Sequence, residues 1–181
     1  MVDEEKASLR KAAYKVRGPA FAAGQGQAAA VLTAYLAQFG GAALAGYMPM
    51  RTEIDPLAAM AAHQGPVGVP VIMARATPLQ FRSWSPEAEM MAGEFGALIP
   101  ATGGWIAPRV LIVPLLAFDA RGYRLGYGGG FYDRTLAGLR ALGPVTAGGF
   151  AFAAQRVDAV PIDGHDQRLD AVVTEQGVLE F

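Results

Sequence analysis

The sequence predicts an α/β fold: a three-layer α/β/α sandwich around a mostly parallel central sheet. Two observations carry that prediction. Short apolar, often β-branched runs bounded by turn residues recur along the chain, as buried strands do. Stretches with apolar residues at helical spacing alternate with them, the order expected of a sheet whose strands run parallel.

Taken in order, residues 3–17 (DEEKASLRKAAYKVR) have the pattern of an amphipathic helix, which Gly18-Pro19 is expected to stop. Residues 25–39 (QGQAAAVLTAYLAQF) predict a second helix ended by Gly40-Gly41. Ala42 to Met48 predicts a strand. A short helix follows from Asp55 to His63, with Asp55 suited to cap it and Pro56 to its first position. Val67 to Met73 is a β-branched run and predicts a strand, as does the alternating Leu79 to Trp84. Residues 85–108 have no clear period and are expected to be loop. Val110 to Phe118 (VLIVPLLAF) predicts a buried strand, and FYDRTLAGLRAL a helix with Leu136, Leu139 and Leu142 on one face. Strands near Val145–Phe152 and Ala171–Thr174 complete the pattern. No repeat or linker interrupts it, so residues 1–181 are expected to form one domain.

Composition narrows the function. The net charge of −1 and pI near 6.1 exclude a broad nucleic-acid surface. The mean hydropathy of +0.26 is high, yet alanine contributes much of it, and no run approaches the roughly 18 apolar residues of a membrane span. The start, MVDEEKASLRK, lacks the apolar segment of an export signal. With no cysteine, disulfides and thiolate metal sites are excluded. The expectation is a monomeric cytoplasmic protein whose partners are small molecules.

One stretch is chemically unusual. RLGYGGGFYDR, residues 124–134, combines four glycines, two arginines, three aromatic residues and an aspartate, and opens onto a helix. A helix N-terminus behind a glycine loop offers free N–H groups and a positive dipole end to an anion, which points to phosphate. The spacing is not that of the dinucleotide fingerprint: the third glycine is misplaced, and the loop follows its strand by several residues. No acid lies within Pro144–Ala151, where such a fold needs one, and no P-loop motif occurs.

The segment VPLLAFDARGYRLGYGGGFYDRTL (113–136) resembles the signature of the 5-formyltetrahydrofolate cyclo-ligase family. KASLRK (6–11), YMPMRTEID (47–55), PVIMARATPLQFRSW (70–84), GEFGALIP (93–100) and AAQRVDAVPIDGHDQRLDAVVTEQG (153–177) follow the family's order, so the resemblance covers most of the chain. It implies ATP- and Mg²⁺-dependent conversion of 5-formyltetrahydrofolate to 5,10-methenyltetrahydrofolate, with ADP and phosphate released. In that chemistry the formyl oxygen is phosphorylated and N10 then closes the ring.

Residue by residue, the resemblance implies an ATP site formed by Lys6, Ala7, Ser8, Leu9 and Arg10 together with Arg124, Leu125, Gly126, Tyr127, Gly128, Gly129, Gly130, Phe131 and Tyr132. Arg124, expected on phosphate, and Tyr132 are the implied catalytic pair. Asp133 and Asp166 are the implied Mg²⁺ ligands, a hard oxygen set suited to that ion. Glu53 is the implied pterin-binding carboxylate, with Met48, Trp84, Tyr127 and Phe131 as the folate pocket. Gly129 departs from relatives that place a basic residue there. Two alternatives keep the glycine loop without this reaction: a nucleotide-binding regulatory module, and a divergent paralogue with another substrate.

Overall fold

The computed structural model describes residues 1–181. In chain order the elements are α1 (Val2–Ala23), α2 (Ala28–Leu36), β1 (Leu44–Ala45), α3 (Leu57–Ala62), β2 (Val67–Val71), β3 (Gln80–Ser83), β4 (Met90–Ala92), β5 (Leu98–Pro100), β6 (Trp105–Ile106), β7 (Val110–Pro114), β8 (Ala117–Phe118), β9 (Arg124–Leu125), α4 (Phe131–Leu142), β10 (Thr146–Phe150), β11 (Ala171–Thr174) and β12 (Gly177–Glu180). Eight strands form the main sheet in the order β12-β11-β10-β7-β1-β2-β3-β6. The five from β11 to β2 are mutually parallel, while β12, β3 and β6 run antiparallel at the two ends. The expected mostly parallel sheet is thus present, flanked by helices on both faces.

Consecutive residues of the central strands point to opposite faces, and both faces are covered. Leu44, Val110, Ile112, Phe150 and Val173 join Leu32 of α2 and Met60 of α3 in one apolar cluster. Ala45, Leu111, Val113, Ala147 and Val172 join Leu136 of α4 in another. Strands buried on both sides must read as continuous apolar runs, which is why VLIVP and AVVT were legible as strands. Leu139 packs against the second cluster, but Leu142 of the expected stripe is exposed at the end of α4.

Four expectations are corrected. Gly18-Pro19 does not stop α1, which runs on to Ala23 and ends at Gly24 in a positive-φ conformation. Proline there costs the helix one backbone bond, but Arg17 before it is buried and Ala20 after it packs against the core, and tertiary anchoring overrides the breaker. The expected 110–118 strand divides at Pro114–Leu116 into β7 and the first strand of a β8–β9 hairpin. Residues 85–108 hold a second hairpin, β4–β5, and the edge strand β6. The strand expected from Ala42 to Met48 is paired only at Leu44–Ala45.

The strand order locates the site. From β1 the chain crosses through α3 to β2 on one side; from β7, which lies on β1's other side, it crosses through α4 to β10, further away. The crossovers diverge between β1 and β7, so the loops leaving these two strands open a crevice at the carboxyl edge of the sheet, where ligands of doubly wound folds bind. Glu53 follows β1, and the glycine loop follows β7 by way of the hairpin.

The hairpin is held by its turn. Gly122 has φ +83°; a Cβ there would lie 2.9 Å from the Phe181 ring and 3.0 Å from the Leu169 carbonyl oxygen, which are fixed by the end of the sheet. Gly122→Ala is expected to destabilise the protein by about 1–3 kcal/mol. Urea unfolding should show a lower midpoint with an unchanged slope.

Candidate active site

The glycine loop leads into α4 as expected, with Gly130 in the left-handed region as the N-cap. No backbone N–H from Gly126 to Gly130 donates a hydrogen bond within the chain. Two cations lie over the loop without a carboxylate partner. Arg10 Nε donates to the Gly126 carbonyl oxygen at 2.9 Å, and Arg134 Nη1 to that of Gly129 at 2.8 Å. Unpaired N–H groups, a helix N-terminus and two cations held only by neutral oxygens make an anion-binding surface. Gly129 has a packing reason of its own: a Cβ there would come within 2.7 Å of the Phe131 ring, which folds back on the loop.

Arg124 sits differently from the expectation that it touches phosphate. Its guanidinium is buried in β9, donating from Nη2 to Asp133 Oδ1 at 2.9 Å and from Nη1 to the Gln167 carbonyl oxygen at 2.7 Å. Asp133 Oδ1 also accepts from the Gln167 N–H at 2.9 Å. Arg124 thereby ties the loop strand, the first turn of α4 and the 163–167 turn together. The phosphate-facing charge falls instead to Arg10 and Arg134.

Lys6 completes that side. Its Nζ donates to Asp166 Oδ2 at 2.6 Å and to Asp163 Oδ2 at 2.7 Å, docking the start of α1 on the 163–167 turn. Ala7, Ser8 and Leu9 travel with it; Leu9 packs against the small cluster of Ala13, Leu116 and Val160. Asp133 and Asp166 therefore belong to one connected network. Each keeps an oxygen, Oδ2 of Asp133 and Oδ1 of Asp166, that no protein donor reaches. No group of three or more His, Cys, Asp or Glu residues forms a protein-only metal cage.

Glu53 lies on the other side of the crevice, buried, in a turn where Arg51 takes φ +54° and the Glu53 N–H returns to the Met50 carbonyl oxygen. Its Oε2 accepts from the Met50 N–H at 2.8 Å, and its Oε1 accepts from the Tyr127 hydroxyl. Burial pushes the Glu53 carboxyl above its usual range, against the opposing hydrogen bonds from Tyr127 and Met50 and the charges of Arg17 and Arg51. Burial, and then the Glu53 charge, also push the Tyr127 hydroxyl up, keeping it a protonated donor. A separation between Glu53 and the glycine loop would be expected if they served different ligands independently. Instead Tyr127, inside the loop, touches Glu53 directly.

The remaining predicted residues divide between the two faces of the sheet. Met48 and Trp84 pack against the cluster beneath α2 and α3, whereas Phe131 and Tyr132 pack against the one beneath α4. The Tyr132 hydroxyl is buried with no hydrogen-bond partner. Burial and the charge of Glu53 push it up as well, so it is a neutral donor facing the site.

Arg17, Asp163 and Arg134 were not among the sequence candidates. Arg17 is almost wholly buried, donating from Nε to Thr52 Oγ1 at 2.9 Å and from Nη1 to the Tyr127 hydroxyl. A signal for it exists: Lys6, Arg10, Ala13 and Arg17 lie at i, i+4, i+7 and i+11, one helix face. Asp163 has no such signal, since its tie to Lys6 spans 157 residues.

The Lys6 tether has a pH signature. The hydrogen bond from Lys6 holds the Asp163 carboxyl below its usual range. A depressed carboxyl stabilises the fold above its ordinary range and loses that contribution as pH falls through the lowered value. Lys6→Met should leave Asp163 and Asp166 facing each other and cost about 1.5–3 kcal/mol at neutral pH. Thermal unfolding should show the variant recovering relative to wild type on acidification, as the unpaired acids take up protons. A constant difference at all pH values would refute the tether.

Comparison with known proteins accords with this geometry. The model of the 5-formyltetrahydrofolate cyclo-ligase family matches residues 2–175. The 5-formyltetrahydrofolate cyclo-ligase of Escherichia coli K12 is 49% identical over 74 residues, covering 40% of this chain and 39% of the relative. That of Mycolicibacterium smegmatis is 36% identical over 103 residues, covering 54% and 51%. The chain thus spans about half or less of the length of the curated relatives it matches. Among solved structures, the NMR structure of Aquifex aeolicus 5,10-methenyltetrahydrofolate synthetase aligns with a TM-score of 0.76 at 26% identity, over 97% of this chain and 92% of that one. The Mycoplasma pneumoniae 5,10-methenyltetrahydrofolate synthetase aligns at 0.72 over 94% and 98%, and at 21% identity this likeness speaks to the fold alone. By the span of the family match, the chain belongs to the 5-formyltetrahydrofolate cyclo-ligase family.

Proposed function

We propose that the chain, acting as one domain, uses ATP to close 5-formyltetrahydrofolate to 5,10-methenyltetrahydrofolate. The observation that carries this reading is the meeting, through Tyr127, of a buried carboxylate and an anion-binding glycine loop at the switch point of the sheet. A generic nucleotide module has no need of the first element.

The chemistry assigns work to each side. The formyl oxygen attacks the γ-phosphorus of ATP and ADP leaves. N10 then attacks the activated carbon, and phosphate departs with the former formyl oxygen as the ring closes. Phosphoryl transfer of this kind depends on positioning and charge neutralisation. The N–H groups of 126–130 and the guanidinium groups of Arg10 and Arg134 would hold the phosphates. Tyr132, as a neutral buried phenol, would donate to an oxygen at the reacting centre. Asp133 and Asp166, each with a free oxygen, fit a hard divalent cation shared with ATP, and they would hold Mg²⁺. Bound there, Mg²⁺ supplies neutralisation of phosphate charge.

On the folate side, Glu53 would accept paired hydrogen bonds from the pterin's amino and ring N–H groups. Its two oxygens already accept from Tyr127 and Met50, so both are oriented and each retains lone pairs. The ring would lie between Met48 and Trp84 on one side and Phe131 on the other.

Mixing protein, Mg-ATP and 5-formyltetrahydrofolate should raise the absorbance of the methenyl product; none appearing would leave the non-catalytic reading. Glu53→Gln replaces an acceptor with a donor facing the pterin's own donors. It should lose one charge-assisted hydrogen bond, about 1.5–3 kcal/mol, or roughly a ten- to hundredfold weaker folate affinity by calorimetry. The wild type should lose folate affinity as pH falls through the raised value of Glu53, above the usual range of a glutamate, because only the carboxylate accepts both bonds. Glu53→Gln should lack that limb.

A further inference from the structure

Arg17, Tyr127 and Glu53 come from α1, the glycine loop and the turn after β1, and they meet in one directed chain of hydrogen bonds. Tyr127 has one hydroxyl proton. Its oxygen accepts from Arg17 Nη1, a permanent donor, so the proton points to Glu53 Oε1. Arg17 cannot reverse that polarity, because a guanidinium has no acceptor. Arg17 also grips the neighbour of Glu53 through Thr52 Oγ1, and its guanidinium lies 5.4 Å from the Tyr14 ring centre and 5.5 Å from that of Tyr127. It forms no ion pair, although it is among the most deeply buried side chains of the protein. A buried cation without a salt bridge is costly unless its hydrogen bonds and a nearby charge compensate it. The compensating charge here is Glu53, reached through a neutral phenol.

The position of Tyr127 gives the chain a consequence. Its backbone lies among the glycines whose N–H groups are free, and its side chain orients the carboxylate across the crevice. An anion that fixes the loop backbone fixes the Tyr127 hydroxyl as well. We propose that Arg17 is a positioning residue that acts through Tyr127 on Glu53, and that this link couples nucleotide capture by the glycine loop to folate capture by Glu53. The proposal rests on the assignment of Glu53 to the pterin. It adds the residue that orients Glu53 and the sign of the interaction. Ordering the loop pre-organises the carboxylate, so the two ligands bind with positive cooperativity.

The test is a calorimetric binding cycle. The dissociation constant of 5-formyltetrahydrofolate is measured with and without a saturating non-hydrolysable ATP analogue and Mg²⁺. In wild type the analogue should tighten folate binding by roughly fivefold or more, the usual scale of allosteric coupling. Tyr127→Phe keeps the ring and removes the link, and its coupling factor should fall below about twofold. Arg17→Lys keeps a charge but loses the planar fork, so its coupling should fall between the two. Circular dichroism confirms that each variant is folded, and Tyr127→Phe, which leaves Arg17 in place, decides the matter should Arg17→Lys not fold. A role confined to packing would weaken either ligand without changing their ratio. Wild-type coupling retained in Tyr127→Phe overturns the proposal, as does a wild type that binds folate with no coupling. A wild type that binds no folate at all refutes the Glu53 assignment itself, and the link with it.

Discussion

The site depends on one helix face. Lys6, Arg10 and Arg17 lie along a single stripe of α1 and reach three loops that leave the carboxyl edge of the sheet: the 163–167 turn, the glycine loop and the turn carrying Glu53. None of these loops is fixed by the strands it leaves, since β1 and β9 are only two residues long. What fixes them is the cation that each accepts from α1. Long basic side chains suit this task, because their stems pack while their heads supply donors that a carbonyl or carboxylate needs. Such ties contribute less to stability than to geometry, because desolvation offsets much of a buried charge's attraction.

The charges so arranged are unequal across the crevice, and the inequality sorts the ligands. Arg124 is matched by Asp133, and Lys6 by two acids, so these groups give the loop no free positive charge. Arg10 and Arg134 rest on carbonyl oxygens, and they can turn to an anion without abandoning a carboxylate. On the far side the free acceptor is Glu53, facing a region of Met48, Trp84 and Phe131. A phosphate chain and a flat hydrogen-bond donor therefore have one orientation each in which their charges are met.

The local chemistry was legible in the sequence and the long-range ties were not. VLIVP and AVVT announced buried strands, and the glycine loop announced a helix N-terminus, because those signals lie within a few adjacent residues. Gly18-Pro19 misled for a physical reason: a proline costs one backbone bond, whereas burying Arg17 before it and Ala20 after it holds the helix on. Residues 90–106 form short strands with little burial, so they had no apolar period to display. Arg124 carried a phosphate expectation through its place beside the glycines, yet a strand position turned it inward to Asp133. Tyr127 joining Glu53 spans 74 residues, and no pattern along the chain encodes that distance.

The same distance explains why the loop looked like a failed dinucleotide fingerprint. In that motif the glycine turn ends the strand directly, and the phosphate sits on the sheet edge. Here the β8–β9 hairpin stands between β7 and the glycines. Buried Asp119 locks it, accepting from the Arg121 guanidinium and from the N–H groups of Tyr123 and Val160. The glycines are thereby carried outward, beyond the strand end. The space left at the end of β7 is a crevice of about 150 Å³ bordered by Pro114, Leu115, Gln155, Tyr47, Glu53 and Arg17. A glycine turn on the strand end would fill that space and leave Glu53 no route to the loop. The hairpin that breaks the familiar spacing is what allows a second ligand, held by a carboxylate, to meet the first.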